Sequence, residues 1–425
     1  ITLKLPVIFE AENLKVLAQR IDEQSQSSNT STDVIHNISK RPENTDIPLS
    51  FAQERLWFLD LFEPGSPIYN IPFALEFKGS LDHAQFEKTC QHIIERHEIL
   101  RTIIVDHDDL PTQTVLTDVD FKLAYQCHEG IQYSDGELQD ILTLAATESF
   151  DLKQWPLFKI NLYQLAEKRH ILLFNLHHII ADGWSLTLLM NEIASLYEAN
   201  LKNENINHDK STIQYGDFAY WQRHYLTPDV LASQLNYWKQ KLANTTILEL
   251  PFDFQQPSIL TTNGNIYGFE LSKTLSDSLS ILARQSNATL YMVLMTAFKV
   301  LLSKYCNQTD IIVGSPSAGR HYAEIENVFG CFVNTIVIRS QLDNNPDFFT
   351  LLSTVKQNTL AAYENQDIPF EQILDAVTPN RELNHSPLFQ VMFALHNQPL
   401  FQAGFDDLEM QLMPLQTQQA KFELS

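Results

Sequence analysis

Residues 170–186 read HILLFNLHHIIADGWSL, and the fold is decided by how this stretch is read. From His170 to Leu176 the run is nearly all apolar and short, as a buried strand requires. From Leu186 the period changes. Leu186, Leu189, Met190, Ile193 and Tyr197 recur at helical spacing, with Ser185 as the expected N-cap. His177 to Ser185 is then a loop held between a strand and a helix, a common place for chemical groups. Successive strand side chains point to opposite faces, so His177 and His178 should diverge and only one should face a shared substrate. The same argument disfavours a zinc ion shared by His177, His178 and Asp182. Gly183 lets the chain turn back after Asp182 and lets the backbone approach a ligand.

Outward from this stretch, Leu81 to Leu100 reads as a helix with Phe86, Cys90, Ile93, Ile94 and Leu100 toward a core. A second set of elements follows. Strands are expected at Ile266–Leu271, Asp310–Ser315, Phe332–Ile338 and Leu388–Ala394, and helices at Leu290–Tyr305 and Phe348–Tyr363. Alternating helices and strands place the chain in the α/β or α+β class. Pro228, Pro251 and Pro257 mark residues 225–260 as a seam, dividing the body into lobes 47–225 and 226–425. Residues 1–24 read as a short amphipathic helix entered at Pro6, with Leu14, Leu17 and Ile21 at helical spacing. Residues 25–46 are polar with little to bury, and read as a linker.

Composition narrows the classes. With 425 residues the chain can build more than one core, and 44% apolar with 19% charged residues is ordinary for a soluble protein. The net charge of −23 argues against nucleic acid, which demands basic stripes, and against an anionic membrane surface. No apolar run approaches the roughly 18 residues that cross a bilayer, and a basic n-region is absent from the first residues, so the expected location is cytoplasmic. Cys90, Cys127, Cys306 and Cys331 lie far apart and read as reduced thiols.

His177-His178-Ile179-Ile180-Ala181-Asp182-Gly183 matches the pattern HHxxxDG, and six further segments match motifs of one family in that family's order. Ser50-Phe51-Ala52-Gln53-Glu54-Arg55-Leu56-Trp57-Phe58-Leu59 resembles SxAQxRLWxL, and Arg96-His97-Glu98-Ile99-Leu100-Arg101-Thr102 resembles RHExLRT. Tyr215-Gly216-Asp217-Phe218-Ala219-Tyr220-Trp221 resembles YxDFAxW, and Gly330-Cys331-Phe332-Val333-Asn334-Thr335 with Arg339 resembles GxFVNTxxxR. Gln366-Asp367-Ile368-Pro369-Phe370-Glu371 resembles QDVPFE, and Arg381 to Leu388 loosely resembles the last motif. The chain thus resembles a condensation domain of a nonribosomal peptide synthetase. His385 stands where that family usually has Arg, and Ala181 where Ser is frequent. Residues 1–24 resemble the final helix of a carrier domain, and the C-terminal lobe looks cut short at Ser425.

The resemblance implies two chloramphenicol-acetyltransferase-like lobes in a V with a central tunnel. It implies a donor aminoacyl or peptidyl thioester joined to the α-amine of an acceptor aminoacyl thioester, each carried on the 4'-phosphopantetheine of a partner carrier domain. An upstream donor carrier, a downstream acceptor carrier and an adjoining adenylation domain are the implied partners. The domain itself is expected to bind no cofactor, and the chain contains no GxxxxGK[ST] phosphate loop. His178 is the implied catalytic group, as base or positioning group. The Gly183 N–H is a candidate oxyanion donor. His177, Asp182 and Arg101 are supporting residues, with Arg320 as the expected partner of Asp182 and Arg339 as the alternative. The short linker leaves no room for an epimerization domain, which implies an L-donor, L-acceptor subtype. An epimerization domain usually continues as DxxSW, a heterocyclization domain carries DxxxxD, a free acyl-CoA transferase would leave residues 1–24 without a role, and a non-catalytic docking module tends to lose the histidines.

Overall fold

The structure, a computed structural model, describes residues 7–8, 13–27, 37–107, 110–131, 133–202, 204, 213–254, 257, 261–377, 386–396, 408–415 and 418–425. The turn at Pro6, residues 28–36 of the linker and the motif residues Arg381 to His385 lie outside the described residues. In chain order the helices are α1 (Leu14–Ser27), α2 (Phe51–Phe62), α3 (His83–Arg96), α4 (Asp135–Ala146), α5 (Gly183–Leu201) and α6 (Tyr215–Tyr225). They continue as α7 (Pro228–Lys241), α8 (Lys273–Gln285), α9 (Leu290–Cys306), α10 (Phe348–Glu364) and α11 (Phe370–Val377). The strands are β1 (Ile47–Pro48), β2 (Asn70–Lys78), β3 (Thr102–His107), β4 (Leu110–Val115), β5 (Ala124–Cys127) and β6 (Phe158–Ala166). They continue as β7 (Arg169–His177), β8 (Asp310–Ser317), β9 (Asn334–Gln341) and β10 (Glu409–Met413).

The strand expected at His170–Leu176 is β7, the middle of a five-stranded sheet ordered β10-β2-β7-β6-β5. Every residue of β7 after Arg169 is buried, which explains an apolar run rather than an alternating one. Leu172, Phe174 and Leu176 enter the main core with α3 and α5 residues, while Ile171 and Leu173 pack with Leu138 and Leu142 of α4. Each such side chain, fully buried, contributes about 1.5–3 kcal/mol. Two covered faces therefore fix both the depth and the rotation of the strand that ends in the histidines.

A second core is built on the antiparallel pair β8–β9, whose register runs from Asp310↔Gln341 to Ser317↔Asn334, against α9 and α10. Phe218 of α6 belongs to the first core and Trp238 of α7 to the second, with Thr227 capping α7 and Pro228 at its first turn. The lobe read as 226–425 does not hold throughout. Residues Ile325, Val328, Phe329, Cys331 and Phe332 pack into the first core. β10 pairs antiparallel with β2 in the first sheet, from Glu409↔Lys78 to Met413↔Ala74.

Other expectations are corrected. The helix ends at Arg96, because His97 turns to an extended conformation, and Leu100 sits in the 3-10 turn Glu98–Arg101. Ile266–Leu271 forms no strand. Ile266, Tyr267 and Phe269 stand exposed, and alternation without a neighbouring strand among the described residues makes no ladder. Leu388–Ala394 pairs only by single bridges, Met392 with Gly314 and Val391 with Leu424. The polar stretch from residue 25 continues α1 as far as Ser27. The linker also carries anchors: Ile38 is buried, and Arg41 lies 2.7 Å from Asp217 and 2.8 Å from Glu98.

Candidate functional site

Divergence of the two histidines follows from the strand. His177 closes β7, is buried, meets Phe150 edge-on, and its Nδ1 accepts from the Ile179 N–H at 3.1 Å. Burial, then the neighbouring His178, pushes its pKa down to about 3. His178 leaves the strand with its backbone N–H on the Tyr69 carbonyl at 2.8 Å, and the residue keeps some exposed surface. Its Nδ1 lies 3.6 Å from the Cys331 Sγ, and Nε2 has no protein partner among the described residues. Burial and then Lys421 push the His178 pKa down to about 4, against the opposing pull of Asp182. The Cys331 thiol is itself pushed upward by burial. Among the described residues no three His, Cys, Asp or Glu side chains are placed to share a metal ion.

Asp182, not Ser185, caps α5: its Oδ1 accepts from the Ser185 N–H at 2.8 Å. Both residue types are good caps, and the helix simply starts three residues earlier than its apolar periodicity suggests. Gly183 opens α5 and is exposed, so its N–H is one of the first-turn donors that have no intrahelical acceptor. The other Asp182 oxygen accepts from the Phe332 N–H at 2.9 Å.

Arg320 closes on Asp182 from the segment after β8, with Nη2 3.3 Å from Oδ1. Nη2 also donates to the Ser185 Oγ at 3.0 Å, while Nη1 donates to the Val328 and Ile325 carbonyls at 2.6 and 2.8 Å. The guanidinium lies over the Phe332 ring, 4.1 Å from its centroid. Ser185 Oγ donates to the Gly330 carbonyl at 2.7 Å and accepts from the Gly330 N–H at 3.0 Å. Gly330 must be glycine here, because a Cβ would stand 1.9 Å from the Tyr215 ring. Of the two arginines considered for Asp182, the structure brings Arg320 to it. Arg339 lies elsewhere: it binds Asp310 at 2.7 Å and the Lys241 and Ala243 carbonyls, beside the second core. Arg101 donates to the carbonyls of Ile94, Glu95 and Leu116, bracing the end of α3.

The remaining motifs hold this arrangement together. Gln53 of α2 donates to the Ile179 carbonyl at 3.3 Å, fixing the histidine loop. Arg96 and His97 both grip Glu192 of α5, at 2.9 and 2.6 Å. Tyr215 joins Ser50 to the Cys331 carbonyl through its hydroxyl. Arg55 binds Glu371 at 2.9 Å, and Asn334 donates to the Gln366 and Ile368 carbonyls at 2.8 Å each. Sequence reasoning missed Ser185 as a bridge, Cys331 beside His178, and Lys421. Cys331 lies inside a quoted motif and Ser185 two residues beyond one, a usable signal; Lys421 comes from a distant segment with no pattern around it.

The Condensation domain family matches residues 43–425. A linear gramicidin synthase of Brevibacillus parabrevis is 44% identical over 364 residues, covering 85% of this chain and 7% of that protein. Tyrocidine synthase 3 of the same organism is 36% identical over 426 residues, covering 100% of this chain and 6% of that protein. The chain thus spans less than a tenth of the length of either curated relative. Among solved structures, the X-domain from teicoplanin biosynthesis superposes with a TM-score of 0.78 at 23% identity, over 91% of this chain and 86% of that one. The first condensation domain of the CDA synthetase gives a TM-score of 0.72 at 18% identity, over 90% and 89% of the two chains.

Proposed function

The chain belongs to the condensation-domain family of nonribosomal peptide synthetases, and from that premise we propose that it forms an amide between two carrier-bound substrates. The donor is an aminoacyl or peptidyl thioester and the acceptor is the α-amine of an aminoacyl thioester. The observation that carries this reading is His178 itself, an imidazole with a free Nε2 on a loop pinned by Gln53, Asp182 and Arg320.

The chemistry follows from the ring's environment. A histidine with a pKa near 4 is neutral in working buffers and is a weak base. It accepts a hydrogen bond from the neutral amine and orients it toward the thioester carbonyl. Once the nitrogen attacks it becomes cationic and far more acidic, and His178 takes its proton as the tetrahedral adduct forms. Collapse of that adduct expels the phosphopantetheine thiolate, which leaves with the proton returned by the imidazole. Holding the two reactants together supplies the larger part of the acceleration. The Gly183 N–H, at the start of α5, is the candidate donor to the oxyanion.

Partners in this reading are an upstream donor carrier, a downstream acceptor carrier and an adjoining adenylation domain, in the cytoplasm. Residues 1–24 are read as the tail of the donor carrier, and the subtype as one that takes an L-donor and an L-acceptor. The test is to load two carrier proteins separately, mix them with the chain, and look for the dipeptidyl thioester by mass spectrometry. Dipeptide formed only when both carriers are loaded supports the reading; none, with a folded chain and loaded carriers verified, overturns it.

A further inference from the structure

Lys421 lies far from every motif, yet the fold brings it to the histidines. Its Nζ stands 5.2 Å from the centroid of the Tyr69 ring, and the Tyr69 carbonyl holds the His178 backbone N–H. It lines a cavity of about 130 Å³ together with Asn70, the residue paired with His177 across β2 and β7. The residue keeps exposed surface although protein surrounds the ammonium on most sides.

Charged and titratable groups converge on His178 from several elements: His177 and Asp182 from its own loop, Arg55 from α2, Cys331 from the segment before β9, and Lys421. The others are engaged. Asp182 is matched by Arg320, Arg55 by Glu371, and the thiol is buried. Among the described residues no carboxylate lies within ion-pair distance of Lys421. The ammonium thus rests on the Tyr69 ring alone and faces a cavity, which leaves its charge open to a ligand.

Resting on the amide-forming reading above, we propose that Lys421 is a positioning residue of that reaction, placing a positive charge with no carboxylate partner on Tyr69, the residue that holds His178, where it draws the donor's acyl oxygen to this wall and keeps the imidazole nitrogen open to the amine. Burial and then Arg55 lower the lysine pKa to about 8, so below that pH the ammonium is charged. Its charge opposes protonation of His178, in the same direction as the burial of that ring.

The test compares the full chain with Lys421→Met and Lys421→Arg, using separately loaded donor and acceptor carriers across a pH series. The His178 ring is titrated by NMR in parallel. Lys421→Met should slow saturating turnover about a hundredfold, the low end of what one lost electrostatic contact at the reacting carbonyl costs. It should also move the His178 midpoint and the acid limb of the rate upward, because a positive neighbour has gone. Lys421→Arg should restore both. Unchanged rates, or slowed rates with an unmoved His178 midpoint, would overturn the proposal. A wild-type chain inactive on loaded carriers would count against the amide-forming reading instead, and the ring titration would still decide the role of Lys421. Should Lys421→Met not fold, Lys421→Gln gives the same readings.

Discussion

Arg320 Nη2 lies 3.3 Å from Asp182 Oδ1, so a side chain that follows β8 closes on the residue that caps α5. Both side chains are almost wholly buried, at 1% and 5% exposure. Burial, opposed by Asp182, lowers the arginine pKa, so the pair stands or falls as a unit. Breaking one half of such a pair strands the other. Asp182→Ala is expected to cost about 3–5 kcal/mol, with loss of the helix cap included in the damage. Denaturant melts should show it, and Asp182→Asn, which keeps a cap acceptor, should be less severe. A wild-type midpoint for Asp182→Ala would contradict the role assigned to this pair.

His178→Ala should abolish dipeptide formation while leaving the melting temperature and carrier affinity close to wild type. Beyond its own residue's backbone, the ring's side-chain contact is the weak one to Cys331. Turnover within a few-fold of wild type at saturating carriers would remove His178 from the mechanism.

Acid should destabilise the chain earlier than carboxylate titration alone explains. His177 and His178 have folded pKa values near 3 and 4, against 6.5 when free. Between those limits the unfolded chain binds more protons than the folded one, so stability is full above about pH 6.5 and falls as the pH drops toward 3. Urea midpoints at pH 7, 6 and 5 test this, and His177→Gln should flatten the slope. An equal slope in that variant would deny His177 its part.

Arg339→Ala should lower stability without changing turnover at saturating carriers. Its guanidinium serves Asp310 and the carbonyls that follow α7, remote from Asp182. A fall in turnover with an unchanged melting temperature would return Arg339 to the site.

Donor stereochemistry tests the subtype. With matched L- and D-aminoacyl groups on the upstream carrier, initial rates of dipeptide formation should favour the L-donor. A clear preference for the D-donor would overturn the subtype and leave amide formation standing.

What the chain reveals in advance is local. The apolar run of β7, the helix behind Asp182 and the divergence of His177 from His178 all follow from periods a short window contains. Arg320 is reached through resemblance, since nothing near it announces a partner 138 residues away. Arg339 is equally plausible on charge alone, and only the fold decides between them, by setting Arg320 on Asp182 and Arg339 on Asp310. Ser185 misleads because a good cap residue stands inside a helix already capped. Lys421 and β10 are invisible for one reason: each is placed by tertiary packing against a segment more than 300 residues earlier in the chain.

That pairing has a consequence for how the chain is made. During synthesis β7, β6 and α5 are complete once Leu201 has emerged, but the strand that covers the outer edge of β2 ends only at Met413. At typical elongation rates the edge waits on the order of 10–40 s. For that interval the nascent first sheet offers a row of free N–H and C=O groups to any neighbouring strand. Ribosome-bound fragments ending before Glu409 should therefore cross-pair or recruit holdase chaperones, and fragments extending past Met413 should not.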